Sequence, residues 1–424
     1  MNTLNRSLLE QAVAVTTELL YFRQPADAVL SAFFRAHRCG PRERTFIAET
    51  AYTVLRRKRT LAAWSGPAAS VRQLVMAALL RHGGISQRQL EESVSRRDAQ
   101  WLADRRAAAA LAAEPDPGLA DRLDLPDWLV ERLLAVMPEA GVVDLANALN
   151  RPAPLDLRVN TIKADRAAVL ARLNQEGIAS AACPYAPEAI RLAGKPALAK
   201  NPLFLDGSIE VQDEGSQLLG HLLAPKRGEM VVDFCAGAGG KTLLLGALMR
   251  STGRLYAFDV SEKRLAKLKP RLARSGLSNV HPAAIAHEND SHVKRLQGKC
   301  DRVLVDAPCS GLGTLRRNPD LKWRQTPQSV AELTVKQASI LAAAAKLLKP
   351  GGRLVYATCS LLAEENAGIV DAFLAAHPTF VRRPAGDVLA AQGIRIDLPG
   401  EDLQLLPHIH GADGFYAAVL ERAQ

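Results

Sequence analysis

Cys309 lies in Asp306-Ala307-Pro308-Cys309-Ser310-Gly311 and Cys359 in Thr358-Cys359-Ser360. Each follows an apolar run with the composition of a strand, Arg302-Val303-Leu304-Val305 and Leu354-Val355-Tyr356-Ala357. A free cysteine inside such a run packs as a small hydrophobe; both of these stand after the run, in the loop. A thiolate in an enclosed, partly basic site is a strong carbon nucleophile, and Lys241, Arg316, Arg317 and Lys322 are cations that could favour it. Carbon C6 of a pyrimidine accepts such an attack, after which C5 is electron-rich enough to take a methyl group. Two thiols then have separate tasks, one forming the covalent adduct and the other helping to remove the C5 proton so that the adduct collapses. With no C-x-x-C pair among the six cysteines (39, 183, 235, 300, 309, 359), neither a zinc site nor a disulfide framework is expected.

The elements that must position these thiols alternate from about residue 214: strand 230–234, helix 240–250, strand 254–258, helix 262–275, strand 301–305, helix 328–349, strand 353–357 and helix 364–376, with Gly414–Leu420 as a final strand. Strands separated by helices of this length predict a parallel, doubly wound α/β sheet, in which neighbouring strands end at one crevice. Met230-Val231-Val232-Asp233-Phe234 runs into Cys235-Ala236-Gly237-Ala238-Gly239-Gly240-Lys241-Thr242, a strand feeding a glycine turn that opens a helix. A phosphate-binding loop would need glycine where Cys235 stands, and a dinucleotide fingerprint would need it at Thr242, so nucleoside triphosphate and NAD both fit poorly. Asp259, at the end of Leu255-Tyr256-Ala257-Phe258, is placed to accept hydrogen bonds from ribose hydroxyls, which points to an adenosine-containing cofactor. Asp290 and Asp306 follow two further strand regions on the same edge.

Composition bounds the rest. Hydrophobic content of 48% with 23% charged residues is that of a soluble globular chain, and 424 residues predict two or three domains. No secretory signal is read at the N-terminus and no apolar run spans a bilayer, so a cytoplasmic protein is expected. The net charge is +10, and residues 1–110 hold 17 Lys+Arg against 9 Asp+Glu, a local excess of +8 that favours a polyanionic partner. That stretch reads as helices, through Leu8, Ala12, Val15, Leu19 and through Ile47, Ala51, Val54, Leu55. The run Arg56-Arg57-Lys58-Arg59 is equally a solvated helix end or an RNA-binding patch. Pro115-Asp116-Pro117-Gly118 reads as a hinge. Three domains are expected: an all-helical, basic, RNA-binding domain over 1–125, a helical connector with a small α+β module over 126–213, and a Rossmann-like domain over 214–424.

Taken together, several motifs over roughly 150–424 resemble the Sun family of RNA (cytosine-5) methyltransferases, most closely its bacterial small-subunit ribosomal RNA branch with a helical N-terminal domain. They are Leu157-Arg158-Val159-Asn160-Thr161, Val211-Gln212-Asp213-Glu214-Gly215-Ser216-Gln217, the 233–242 turn, Asp306-Ala307-Pro308-Cys309-Ser310, Arg317-Asn318-Pro319-Asp320 with Lys322-Trp323, Tyr356-Ala357-Thr358-Cys359-Ser360, and Asp413-Gly414-Phe415. The resemblance implies S-adenosyl-L-methionine held by Cys235, Ala236, Gly237, Ala238, Gly239, Gly240 and Lys241, with Asp259 on the ribose, Asp290 on the adenine side and Asp306 in the site. It further implies Cys359 as nucleophile, Cys309 assisting release, Asp306 hydrogen-bonding the cytosine ring and RNA, ribosomal RNA above all, as partner; no metal is expected from the cysteine spacing, and a monomer is expected. One departure stands out: the family turn has Ala-Pro-Gly where this chain has Gly237-Ala238-Gly239, so a turn less fixed before cofactor binding is expected. Two rival readings are a DNA cytosine-5 methyltransferase attacking through Cys309, against which the Thr-Cys-Ser loop argues, and a non-catalytic RNA-binding assembly factor.

Overall fold

The computed structural model describes residues 4–66, 68–111 and 118–424, so most of the expected hinge at 115–118 lies outside the described residues. The chain forms two compact units, one holding residues up to Pro152 together with Thr314–Thr326, the other Ala153–Gly313 with Pro327–Gln424. Residues 126–213, expected as connector and module together, contribute to both.

Every regular element among the described residues of the first unit is a helix. Leu8, Ala12, Val15 and Leu19 of helix Arg6–Leu20, and Ile47, Ala51, Val54 and Leu55 of helix Pro41–Arg56, are all buried, as the three-and-four spacing predicts. Side-chain caps start the helices: Asn5 accepts from the Leu8 N–H at 2.9 Å, and Ser70 with Gln73 forms a reciprocal box.

The run at 56–59 is neither a solvated end nor an open patch, because its cations are engaged within this unit. Arg56 is 7% exposed and donates to the Arg316 carbonyl at 3.3 Å. Arg57 lies 3.6 Å from buried Asp124, which also caps helix Lys58–Ser65 by accepting from the N–H groups of Arg59 and Thr60. Lys58 sits 4.8 Å from the Trp323 ring, and Arg59 forks to Asp121 and Asp127. Asp124 thus serves both as the cap of this helix N-terminus and as the partner of Arg57, while Arg56, Lys58 and Arg59 find other partners in the unit.

The second unit holds two sheets. Strands β1 (Leu155–Val159), β2 (Ser180–Ala182), β3 (Ala189–Leu192) and β4 (Ile209–Val211) form an antiparallel sheet in the order β2-β3-β1-β4, with helix Arg166–Gln175 against it. The larger, eight-stranded sheet is built from β5 (Met230–Asp233), β6 (Arg254–Asp259), β7 (Val280–Ala284), β8 (Cys300–Asp306), β9 (Leu348–Thr358), β10 (Phe380–Arg383), β11 (Leu403–Leu405) and β12 (Phe415–Arg422). Its order is β10-β12-β9-β8-β5-β6-β7, with β11 beside β12. Pairing is parallel from β7 across to β9 and antiparallel for β10, β11 and β12, so the sheet is mixed at one side.

The central strands are apolar on both faces, as strands covered twice must be. Val231, Leu304, Val355 and Ala357 pack on one face with Leu218, Leu219 and Leu222; Val232, Val303, Val305, Leu354 and Tyr356 pack on the other with Ile340, Leu341 and Ala344. The helix expected over 262–275 is two helices, Glu262–Leu265 and Leu268–Ser275. Pro270 accounts for the break, since it has no N–H to give to the carbonyl one turn back.

Candidate active site

The chain leaves β5 toward β6 and β7 on one side and returns through β8 and β9 on the other, so the order reverses between β5 and β8, where sheets of this kind open a crevice. In the parallel register Asp306 pairs with Ala357, which puts the loops after β8 and β9 side by side. Cys309 and Cys359 meet there, their sulfurs 3.4 Å apart, with the Cys359 N–H donating to the Cys309 sulfur at 3.3 Å. Both are partly exposed. The Cys309 thiol is held well above the ordinary cysteine range, first by its hydrogen bond to Cys359 and then by burial.

Close backbone approach makes this possible. The Gly313 N–H donates to the Cys359 carbonyl at 2.8 Å, and a side chain at Gly313 would put its Cβ 2.1 Å from the Gly414 carbonyl oxygen. Asp413-Gly414-Phe415 thus braces the cysteine loop from β12.

Of the four cations expected near the thiols, Lys241 is in this unit; its amine pairs with Asp306 at 2.7 Å and lies 5.7 Å from the Phe415 ring. Burial alone would lower the lysine, but Asp306 and then Cys359 raise it, so it stays charged beside the thiol pair. Arg316, Arg317 and Lys322 belong to the segment Thr314–Thr326 of the helical unit. Lys322 is 2% exposed, with its amine 2.9 Å from both the Arg56 carbonyl and the Asn150 side-chain oxygen, so its amine serves that unit's interior and not the thiols.

The glycine turn sits at the end of β5. Gly239 has φ +81°, and a Cβ there would fall 2.2 Å from Leu268, so only glycine fits. Asp259 at the end of β6 accepts from the Gly237 N–H and the Ser261 N–H, each at 2.7 Å, and every oxygen keeps a second lone pair for a ligand hydroxyl. Asp233, beneath the turn, accepts from Thr242 at 2.7 Å; burial pushes its carboxyl up to about 7 against that bond, and its second oxygen has no partner. Cys235 is pushed well up by burial, which suits a packed thiol rather than a reactive one. Asp290 follows β7, whose loop bonds back to Asp259; it caps helix Ser291–Lys294, taking the Ala286 and His292 N–H groups and the His292 ring, and these bonds hold it well below the usual carboxylate range.

Two residues that spacing alone did not mark as part of the site are Arg158 and Arg271. Arg158, buried on β1, donates to the Gly240 carbonyl at 2.6 Å and to Gln212; Arg271 donates to the Ala238 carbonyl at 2.6 Å and pairs with Glu210 on β4. The turn that lacks proline therefore has two of its carbonyls held, one by Arg158 of the small sheet and one by Arg271 of helix Leu268–Ser275, which Glu210 of the small sheet steadies. The Leu157–Thr161 and Val211–Gln217 motifs supply Arg158 and Gln212, so the signal lay in motifs quoted without a role.

Comparison with known proteins agrees with this architecture. A family model described as 16S rRNA methyltransferase RsmB/F matches residues 220–421, and one for the ferredoxin-like domain of RsmF/B-like methyltransferases matches 125–199. The chain is 38% identical over 309 residues to the probable ribosomal RNA small subunit methyltransferase B of Synechocystis sp., covering 72% of this chain and 68% of that protein. Among solved structures, PH0851 is 26% identical with a TM-score of 0.77 over 98% of both chains. A methyltransferase homolog protein from Pyrococcus horikoshii is 31% identical with a TM-score of 0.61, over 73% of this chain and all of that one.

Proposed function

Because this chain belongs to the RsmB/F family of ribosomal RNA methyltransferases, we propose that it methylates C5 of a cytosine in ribosomal RNA, with Cys359 as nucleophile and Cys309 assisting release. S-adenosyl-L-methionine, when bound, supplies a methyl group made electrophilic by its sulfonium. The residues present fit that cofactor: a strand-end carboxylate with lone pairs left for a diol, beside a turn whose backbone can be approached closely. Main-chain groups of Cys235–Lys241 and the Asp259 carboxylate hold it, with Asp290 on the adenine side.

Cys359 adds to C6 of the cytosine, and Asp306 hydrogen-bonds the ring while its partner Lys241 offsets negative charge that develops there. After methylation Cys309, whose raised pKa keeps it a thiol, gives its proton to the departing Cys359 sulfur 3.4 Å away, and the Cys309 thiolate so formed takes the proton from C5. A paired base cannot offer C6 to a thiol, so the target is unpaired or extruded, and the small sheet and basic helical unit hold flanking RNA. The protein works in this reading as a cytoplasmic monomer; among the described residues no helix is long and apolar enough to cross a membrane.

The observation that carries the proposal is the 3.4 Å thiol pair at the ends of neighbouring strands beside the switch point. Trapping on RNA containing 5-fluorocytosine tests it. Cys359→Ala must abolish the covalent complex on this analogue, from which the wild type cannot escape because fluorine blocks the elimination, and Cys309→Ala must accumulate a slowly resolving complex on ordinary cytosine RNA. The reverse pattern, or better trapping on DNA, overturns it.

A further inference from the structure

We propose that Glu365 is a positioning residue that clamps the two cysteine loops at the separation from which the thiols act in turn, an inference that rests on the roles just given to Cys359 and Cys309. Glu365 is fully buried at the end of the 3-10 turn Ala363–Glu365. One carboxyl oxygen accepts from the Ser310 N–H at 2.8 Å and the Gln337 amide at 3.0 Å; the other accepts from the Ser310 hydroxyl at 2.5 Å and from the Ser360 hydroxyl. Ser310 directly follows Cys309, and Ser360 directly follows Cys359. A single side chain therefore grips the residue after each thiol.

The surroundings reinforce the grip. Gln337 also donates to the Pro308 carbonyl at 2.9 Å, so the Cys309 loop is held on both sides of the cysteine. Asn366, next in sequence, bonds the Thr358 hydroxyl at 2.5 Å and the Ser360 carbonyl at 3.1 Å, which brackets Cys359. The Tyr356 hydroxyl fixes the Glu365 main chain through its carbonyl at 2.7 Å. Among the described residues, the donors to the Glu365 carboxylate are Ser310, Gln337 and Ser360, none of them a cation. Burying a carboxylate without a cation costs stability that an apolar side chain would not, so stability alone does not account for it. Its four donors come from the two loops and the helix behind them, and what it fixes is their spacing.

Glu365→Gln tests the clamp selectively. The amide can still accept from the Ser310 N–H and Gln337, but it presents an NH2 group where two hydroxyls were accepted. The first readout needs no RNA. Diamide takes two hydrogens from a thiol pair, leaving a disulfide and a hydrazine, and the rate of Cys309–Cys359 disulfide formation in the whole protein is followed as a mass loss in the joined peptides. We expect the variant to form this disulfide about tenfold more slowly, at unchanged cofactor affinity and melting temperature, as a small misplacement of reacting atoms costs. On RNA, kcat falls while KM holds. If Glu365→Gln fails to fold, the double variant Ser310→Ala, Ser360→Ala carries the same measurement. A folded variant that forms the disulfide at the wild-type rate overturns the clamp. Slow disulfide formation supports it even if the wild-type protein does not methylate cytosine, an outcome that would instead remove the functional reading.

Discussion

The sulfurs of Cys309 and Cys359 stand 3.4 Å apart, and the hydrogen bond between them is the foremost cause of the raised Cys309 pKa. Removing Cys359 should release that thiol. In Cys359→Ala, Cys309 should react with iodoacetamide near neutral pH several times faster than in the wild type, because more of it is thiolate once that bond is gone. Peptide mass spectrometry over time measures this. An unchanged rate would mean that burial, the second cause, dominates.

Arg271 holds the Ala238 carbonyl in a turn without proline. Losing one hydrogen bond to a charged group costs on the order of 1.5 kcal/mol, so Arg271→Ala should weaken S-adenosyl-L-methionine binding about tenfold in titration calorimetry. Circular dichroism should remain that of the wild type, because the contact lies on the turn and not in the core. Full affinity in this variant would refute a role for the arginine in shaping the turn.

Gly313 leaves no room for a side chain: a Cβ would lie 2.1 Å from the Gly414 carbonyl oxygen and 2.9 Å from that of Cys359. Gly313→Ala should cost about 1–3 kcal/mol in denaturant unfolding, the usual penalty of overpacking. It should also slow 5-fluorocytosine trapping, since the strain falls on the loop that carries Cys359. Wild-type stability together with wild-type trapping would show that the loops can move apart freely.

Lys322 should make the helical unit lose stability as pH falls from the alkaline range toward neutrality. Burial lowers it to about 7 from an ordinary 10.5. Above the higher value the amine is neutral in both folded and unfolded chains. Between the two values the unfolded chain alone takes up a proton, so stability falls as pH drops through this window and levels off below about 7. Lys322→Met has no such proton to bind, and its melting temperature should depend less steeply on pH across the window. Parallel curves for the two proteins would contradict this.

Much of this arrangement was legible in the chain because parallel strands announce themselves. Val303–Val305 and Leu354–Ala357 are unbroken apolar runs, and two such runs in adjacent parallel strands bring whatever follows them together, so Cys309 and Cys359 could be paired from sequence. The glycine turn and Asp259 were readable for the same reason. What stayed hidden depends on long-range partners. Nothing near residues 56–59 reveals that Asp124 waits for them, and Arg158 and Arg271 reach the turn from elements remote in sequence. Strands β10 and β11 were missed because a run of three or four residues has too few turns of pattern to be told from a loop.

The helical unit contains Thr314–Thr326, a stretch that lies far downstream of its other residues in the chain. Asp320 accepts from the Ala26 N–H, Trp323 donates to the Leu55 carbonyl, and Lys322 fills a place between Arg56 and Asn150. During synthesis this first-made unit therefore cannot finish folding when residue 152 leaves the ribosome; it must wait for residue 326, by which time β5 to β8 have also emerged. Cutting the gene after residue 152 would leave the helical half without its Thr314–Thr326 segment while the other half keeps every residue of its own unit, and a shortened protein ending at residue 152 should open its interior to proteases that the whole chain resists.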